Sequence, residues 1–238
     1  MNSFTVDDKQ IILKSIDNTF LNNFDELKYL LFLKNYFNNE KINIIDCGGN
    51  IGSYSIFFSL FLNCNKIYCI EPIPSIFDVL NENIKINKCN NITTINVGIA
   101  RKNSKIKLIS EIPNNKGAFW FWYADSNNLD LESQRPYNIG YKEHQTINDS
   151  NIISNCDSID NIFFNKEKID FIKIDVEGME IEALIGAQDI ISKNKPLLYV
   201  EGSLKTIDYI NNWIIKNNYT RIETGLFKKH HFLLKYGS

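Results

Sequence analysis

The chain has 238 residues and a mass of 27.6 kDa, with 44% hydrophobic, 13% aromatic and 23% charged residues. Those proportions are those of a soluble globular protein and exclude collagen-like, disordered and disulfide-stapled chains. Twenty-six basic against 28 acidic residues leave a formal charge of −2, so no general attraction to nucleic acid and no membrane insertion are expected.

The five cysteines (Cys47, Cys64, Cys69, Cys89, Cys156) are odd in number, with no Cys-x-x-Cys and no zinc-like pairing with histidine. Free thiols in a reducing, cytoplasmic setting are expected. The N-terminal MNSFTVDDKQ lacks the basic start and apolar core of a secretory signal. Tyr54 to Leu62, the most lipid-like run, is far shorter than the roughly 20 residues of a membrane helix.

In chain order, Asp25 to Phe37 spaces its apolar residues as a helix does, within a helical N-terminal segment 1–40. Ile42 to Asp46 is a short branched run ending in a Gly cluster, the pattern of a buried strand. Ile51 to Leu62 reads as a buried helix, Lys66 to Glu71 as a strand, and Pro72 and Pro74 introduce a helix to about Asn87. Ile92 to Val97 is a third strand, and Lys105 to Ser110 is a candidate extension of the same sheet.

The pattern lapses over Pro113–Ser154 and resumes with strand Ile169–Asp175, a helix from about Met179 to Ser192 and strand Pro196–Glu201. A helix from about Leu204 to Asn217 precedes two closing strands, Tyr219–Ile222 and His231–Leu234, expected to be antiparallel. The alternation predicts one α/β domain over 1–238, with a doubly wound, mostly parallel sheet and one insertion at 113–154.

Ligands bind such sheets outside the carboxyl ends of the strands. The first turn reads Asp46-Cys47-Gly48-Gly49-Asn50-Ile51-Gly52, and its glycines leave room for a ligand against backbone. Asn50 stands where the dinucleotide fingerprint needs its second glycine. Glu71, ending the second strand, is placed to accept both hydroxyls of a ribose. A ribose acid beside a turn without the pyrophosphate pattern points to S-adenosylmethionine and disfavours an NAD oxidoreductase.

The runs IDCGGNIGSYSIFF, CIEPIPSIFDVLNENIKIN, DFIKIDVEGMEIEALIGA and LLYVEGS resemble the successive motifs of the FkbM-type methyltransferases over roughly residues 42 to 201. The resemblance implies a class I, Rossmann-like fold, S-adenosylmethionine as cofactor and O-methylation of sugars or other secondary metabolites. It also implies cofactor contacts at Asp46, Gly48, Asn50, Gly52 and Glu71, with Gly98 and Ile99 lining the adenine. It places Asp175 facing the transferable methyl.

Asp175, Glu177, Glu180 and Glu201 gather at the ends of two neighbouring strands. Glu180 is well explained by the helix dipole. Lys173 interrupts an apolar strand and needs a partner, for which Glu177 or Glu201 is available; pairing and catalysis are both open for it. Asp175 could act as base, hold a sugar diol, or share a cation with Glu201. A divalent metal (Mg or Mn) is not expected; Asp175 and Glu201 would be its ligands if any.

The 113–154 segment is expected to form an acceptor-side lid. His144 is its general-base candidate, while Trp120 and Trp122 offer a stacking surface and Glu177 a substrate contact. His230 and His231 read as structural or exposed. A sugar hydroxyl, nucleotide-linked or in a polysaccharide, is the expected acceptor. Another small metabolite, a peptide, and a non-catalytic cofactor-binding module are the alternatives, and a homo-oligomer is compatible with all of them.

Overall fold

A computed structural model describes residues 2–6, 9–14, 24–112, 115–123, 153–165, 167–202, 206–223, 225 and 231–237. The elements are β1 (Asn2–Val6), β2 (Lys9–Leu13), α1 (Phe24–Phe37), β3 (Ile42–Cys47), α2 (Ser53–Phe61), β4 (Cys64–Ile70), α3 (Pro74–Ile86), β5 (Ile92–Ile95), β6 (Gly98–Ile99), β7 (Ser104–Ile112), β8 (Asn115–Tyr123), β9 (Ile153–Asp157), α4 (Ile159–Ile162), β10 (Phe171–Ile174), α5 (Glu180–Ile185), α6 (Gln188–Asn194), β11 (Leu197–Glu201), α7 (Ile207–Lys216), β12 (Tyr219–Arg221) and β13 (His231–Tyr236).

The main sheet has seven strands in the order β12-β13-β11-β10-β3-β4-β5. β3, β4, β5, β10 and β11 pair in parallel, whereas β13 runs antiparallel to both β11 and β12. The chain winds outward from β3 through β4 to β5 and then returns to β10 on the other side of β3. That reversal opens a crevice at the carboxyl ends of β3 and β10.

Strand residues alternate between the sheet's two faces. Ile45, Cys47, Ile172, Ile174, Leu198 and Val200 pack on Ala183 and Leu184 of α5, Ile190 of α6 and Trp213 of α7. On the opposite face Ile42, Ile44, Phe171 and Tyr199 meet Tyr29 and Leu33 of α1, Phe57 and Phe58 of α2, and Ile11 and Leu13 of β2. Phe171 stands edge-on to Phe58, with ring centres 5.7 Å apart, a packing worth about 0.5–1.5 kcal/mol beyond its buried area.

The structure corrects the sequence reading in three places. The N-terminal segment read as helical opens with an antiparallel hairpin, β1 against β2. The Lys105–Ser110 run does not extend the main sheet. It lies in β7 of a second sheet, ordered β6-β9-β7-β8, because β8 and β9 both pair with it. The helix expected over Met179–Ser192 is two, α5 and α6, broken at Gly186, where a Cβ would come within 2.3 Å of the Ala100 carbonyl oxygen.

Two asparagines fasten the hairpin to α3. Asn83 accepts from the Lys14 N–H (2.7 Å) and donates to its carbonyl (3.0 Å); Asn87 does the same with Ile12, at 3.0 and 2.6 Å. Asn83 Nδ2 also donates to the Ile51 carbonyl at 2.8 Å, tying the hairpin to the glycine turn.

Candidate functional site

The turn after β3 is folded tightly onto its neighbours. Gly48 and Gly49 both donate to the Ile70 carbonyl, at 3.0 and 2.8 Å, and the Asp175 N–H donates to the Cys47 carbonyl at 3.1 Å. Gly48 has φ +81°, and a Cβ there would sit 1.7 Å from the Asp175 carbonyl oxygen. Its bare Cα serves the contact between two strand ends, a stronger demand than room for a ligand. Gly52 likewise has φ +91° and abuts Leu80 Cδ1. Asn50 is itself left-handed at φ 49°, a conformation that asparagine tolerates better than most residues.

Glu71 lies just beyond β4 and is buried. Its Oε2 accepts from the Asn50 N–H at 3.0 Å and its Oε1 from the Ile73 N–H at 2.9 Å. Burial pushes its carboxyl up to about 7 against the pull of those two donors. Each oxygen keeps a further lone pair, so the carboxylate can grip the turn and still accept from a vicinal diol. Ser53 Oγ, at the start of α2, is buried without a hydrogen-bond partner. These donors and acceptors suit the ribose side of a nucleoside cofactor.

Lys173 is 1% exposed on β10, opposite Asp46 in the β3–β10 register. Its Nζ donates to Asp175 Oδ2 at 2.9 Å, lies 3.6 Å from Asp46 Oδ1 and stands 4.7 Å from the centre of the Tyr54 ring. The partners are therefore the two aspartates, not Glu177 or Glu201. Burial pulls the ammonium down, but Asp175 and Asp46 together hold it well above its ordinary range. A lysine so held is protonated, which suits the pairing read for it and leaves no lone pair for a base.

Asp46 is wholly buried and accepts from the Ser55 hydroxyl at 2.6 Å. Its Oδ1 is beyond hydrogen-bond reach of Lys173 and has no donor. Its side chain serves as a buried counter-ion of Lys173 at the end of β3.

The acid rim follows. Asp175 is 24% exposed. Glu177 is left-handed at φ 50° and Gly178 follows at φ +98°, so the chain turns sharply before α5. Burial, reinforced by Asp175 and Glu180, pushes Glu177 up to about 8. Glu180 is buried and accepts from the Gly178 and Val176 N–H groups at 3.0 and 3.3 Å. Its position in the first turn of α5 fits the dipole reading, and these bonds make it a local clamp as well. Burial and the neighbouring Asp175 raise Glu201.

Gly98 and Ile99 form β6, buried between β9 and the main sheet's helices. Trp120 and Trp122 lie on β8, in register with Ser110 and Lys107 of β7. His144 lies outside the described residues. Among the described residues no group of three or more His, Cys, Asp or Glu is placed to hold a metal ion, and no helix is long and apolar enough to cross a membrane.

One residue that the sequence reading set aside enters the rim: His231. In the β11–β13 register it faces Glu201, with Nε2 3.5 Å from Glu201 Oε1 and Nδ1 2.8 Å from the Tyr199 hydroxyl. The only signal available in the sequence was the antiparallel closing pair; because β13 also runs antiparallel to β11, its start lies at the carboxyl end of β11.

The methyltransferase FkbM domain matches residues 46–230, a span that holds the glycine turn, Glu71, Lys173 and the acid rim. The chain belongs to the FkbM methyltransferase family. Methyltransferase 1 of Beauveria bassiana (strain ARSEF 2860) is 22% identical over 61% of this chain and 58% of its own length. Methyltransferase sdnD of Sordaria araneosa is 24% identical over 61% of this chain and 60% of its own. The chain thus spans about three-fifths of these relatives. Among solved structures, the methyltransferase FkbM of Methylobacillus flagellatus KT superposes with a TM-score of 0.53 at 17% identity, covering 82% of this chain and 44% of that one. The precorrin-6y C5,15-methyltransferase of Geobacter metallireducens GS-15 superposes with 0.51 at 12% identity, covering 94% of each. At such identities the superpositions establish the Rossmann-like methyltransferase fold that the FkbM domain shares.

Proposed function

We propose that this FkbM-family chain methylates a hydroxyl of a sugar, nucleotide-linked or polysaccharide, with S-adenosylmethionine as donor. The observation that carries the reading is the meeting of the glycine turn, Glu71 and the acid rim at one reversal point of the sheet. Bound there, the cofactor would supply an electrophilic methyl group on a sulfonium.

The chain's own residues divide the remaining work. Glu71 holds the ribose hydroxyls, the turn from Gly48 to Gly52 lies against the cofactor, and Gly98 and Ile99 line the adenine. Asp46 acts at one remove by helping to hold Lys173. Lys173 fixes Asp175 through Oδ2, which holds the carboxylate at the rim for the acceptor hydroxyl. The proton lost from that hydroxyl passes to a rim carboxylate, Asp175 or Glu201, and alignment of the reactants supplies much of the rate. Glu177 contacts the acceptor from the turn before α5. Trp120, Trp122 and His144 belong to the acceptor side in this reading. A balanced charge and an acid-lined mouth suit the hydroxyls of a sugar better than the dense phosphates of a nucleic acid.

The test is titration calorimetry with S-adenosylmethionine and NAD, followed by mass spectrometry of nucleotide sugars and oligosaccharides incubated with protein and cofactor. The expected result is selective binding of S-adenosylmethionine and the addition of one methyl group to a sugar. Absence of S-adenosylmethionine binding would overturn the reading. Methylation confined to peptides or non-sugar metabolites would overturn the choice of acceptor alone.

A further inference from the structure

We infer that His231 is a positioning residue of the acceptor rim, an imidazole fixed by Tyr199 that sets the place and orientation of the Glu201 carboxylate. The inference rests on the methyl-transfer reading and adds to it a residue outside the four motifs that carry the family resemblance.

The geometry is that of an oriented histidine. Tyr199 and Glu201 are two apart on β11 and so project from the same face, and His231 lies across from Glu201 on β13. The Tyr199 hydroxyl holds Nδ1 at 2.8 Å, which turns Nε2 towards Glu201 Oε1 at 3.5 Å. A partner on one ring nitrogen determines what the other can offer. Burial grades outward along this row. Tyr199 is buried, with its ring tilted 37° to that of Tyr29 of α1 and the ring centres 4.9 Å apart. His231 keeps 12% of its side chain exposed and Glu201 keeps 40%.

The ring's backbone is anchored too. Arg221 of β12 donates to the His231 carbonyl at 3.1 Å while its guanidinium covers Phe232. Packing alone would not ask for three polar groups in a row, ending on the carboxylate beside Asp175. The titratable and charged groups around the ring are Tyr199 and Glu201 on β11 and Arg221 of β12 with its partner Glu223, and Tyr29 of α1 packs behind Tyr199. Asp175 and Lys173 of the neighbouring strand act on Glu201.

The experiment has two arms. The protein has three histidines, so each ring can be followed by NMR titration without cofactor. Glu201→Gln should displace the titration of His231 by removing the ionisable carboxyl that faces its Nε2, leaving the other two where they were. In turnover assays His231→Phe should lower kcat about 10- to 100-fold and displace the acidic limb of the kcat–pH profile, with the S-adenosylmethionine Kd unchanged. His231→Gln keeps a donor for Glu201 and should recover most of kcat. If His231→Phe fails to fold by circular dichroism, Tyr199→Phe is read for the same displacement.

An unmoved His231 in Glu201→Gln, or a wild-type kcat–pH profile in the Phe variants, overturns the inference while the methyl-transfer reading stands. A wild-type protein that binds no S-adenosylmethionine overturns that reading and the role given to Glu201 with it, whatever the titration shows.

Discussion

The carboxyl ends of β10 and β11 lie side by side, and both carry ionisable groups into the same rim. At β10 the charge is sealed in: Lys173 is almost inaccessible, and its counter-charges Asp46 and Asp175 close over it. At β11 the acid is half in water, with a histidine and a tyrosine behind it. A fully withdrawn charge must be matched locally and cannot change state without large cost. A half-withdrawn carboxylate, with burial raising it towards neutrality, can gain or lose a proton in the working range. One strand end is built to keep its charge and the other to exchange it.

The most severe way to break this contrast is Lys173→Met. Asp46 would remain buried without its cation, and a loss of about 3–5 kcal/mol of stability is expected from urea unfolding. Adding Asp46→Asn should recover part of that loss, since the two residues share one interaction. Unchanged unfolding in Lys173→Met would show that the sealed pair carries no weight.

Glu71→Gln carries the comparison to the cofactor side. A glutamine offers one acceptor oxygen where two backbone N–H groups converge, so its NH2 must face one of them. S-adenosylmethionine affinity should fall about 10- to 100-fold, from the loss of charge-assisted bonds worth about 1.5–3 kcal/mol, read by calorimetry. Parent-like affinity would remove Glu71 from the ribose.

The mildest effect sharpens the contrast. Glu71 and Glu180 are raised from 4.5 to about 7 and Glu177 to about 8, so the folded protein binds protons that the unfolded chain has released. Their stabilisation is full below about pH 4.5 and is lost as pH rises through 7 to 8. The melting temperature should therefore fall from pH 5.5 to 8.5, and Glu180→Gln should flatten that slope. A melting temperature that rises over the same range would contradict the burial of these acids.

The succession of strands along the chain and the position of the rim were legible because buried parallel strands write short branched runs ending in Gly or acid, as INIID and FIKID do. Lys173 was conspicuous for the same reason, an ammonium in an apolar run. Its partner was not legible. Spacing along one strand cannot say that residue 173 faces Asp46, which depends on the β3–β10 register. His231 was missed on the same ground, since its neighbour Glu201 is 30 positions away in sequence and adjacent only through antiparallel pairing. The N-terminal hairpin left a fainter trace, two short runs on either side of Asp7 and Asp8. The second sheet escaped because strand propensity says nothing about which sheet a strand will join.

The asparagine clamp on the hairpin has a consequence for how the sequence can drift. A side-chain amide carries the same C=O and N–H as a peptide unit, so Asn83 and Asn87 read Ile12 and Lys14 through their backbone alone. Substitutions at 12 and 14 leave every one of those bonds in place, whereas a change at 83 or 87 removes two at once. Variation should accumulate on the hairpin's outward positions, with the constraint borne by a helix some 70 residues away. The same amides occupy the free edge of β2, which is thereby closed to strands from other molecules.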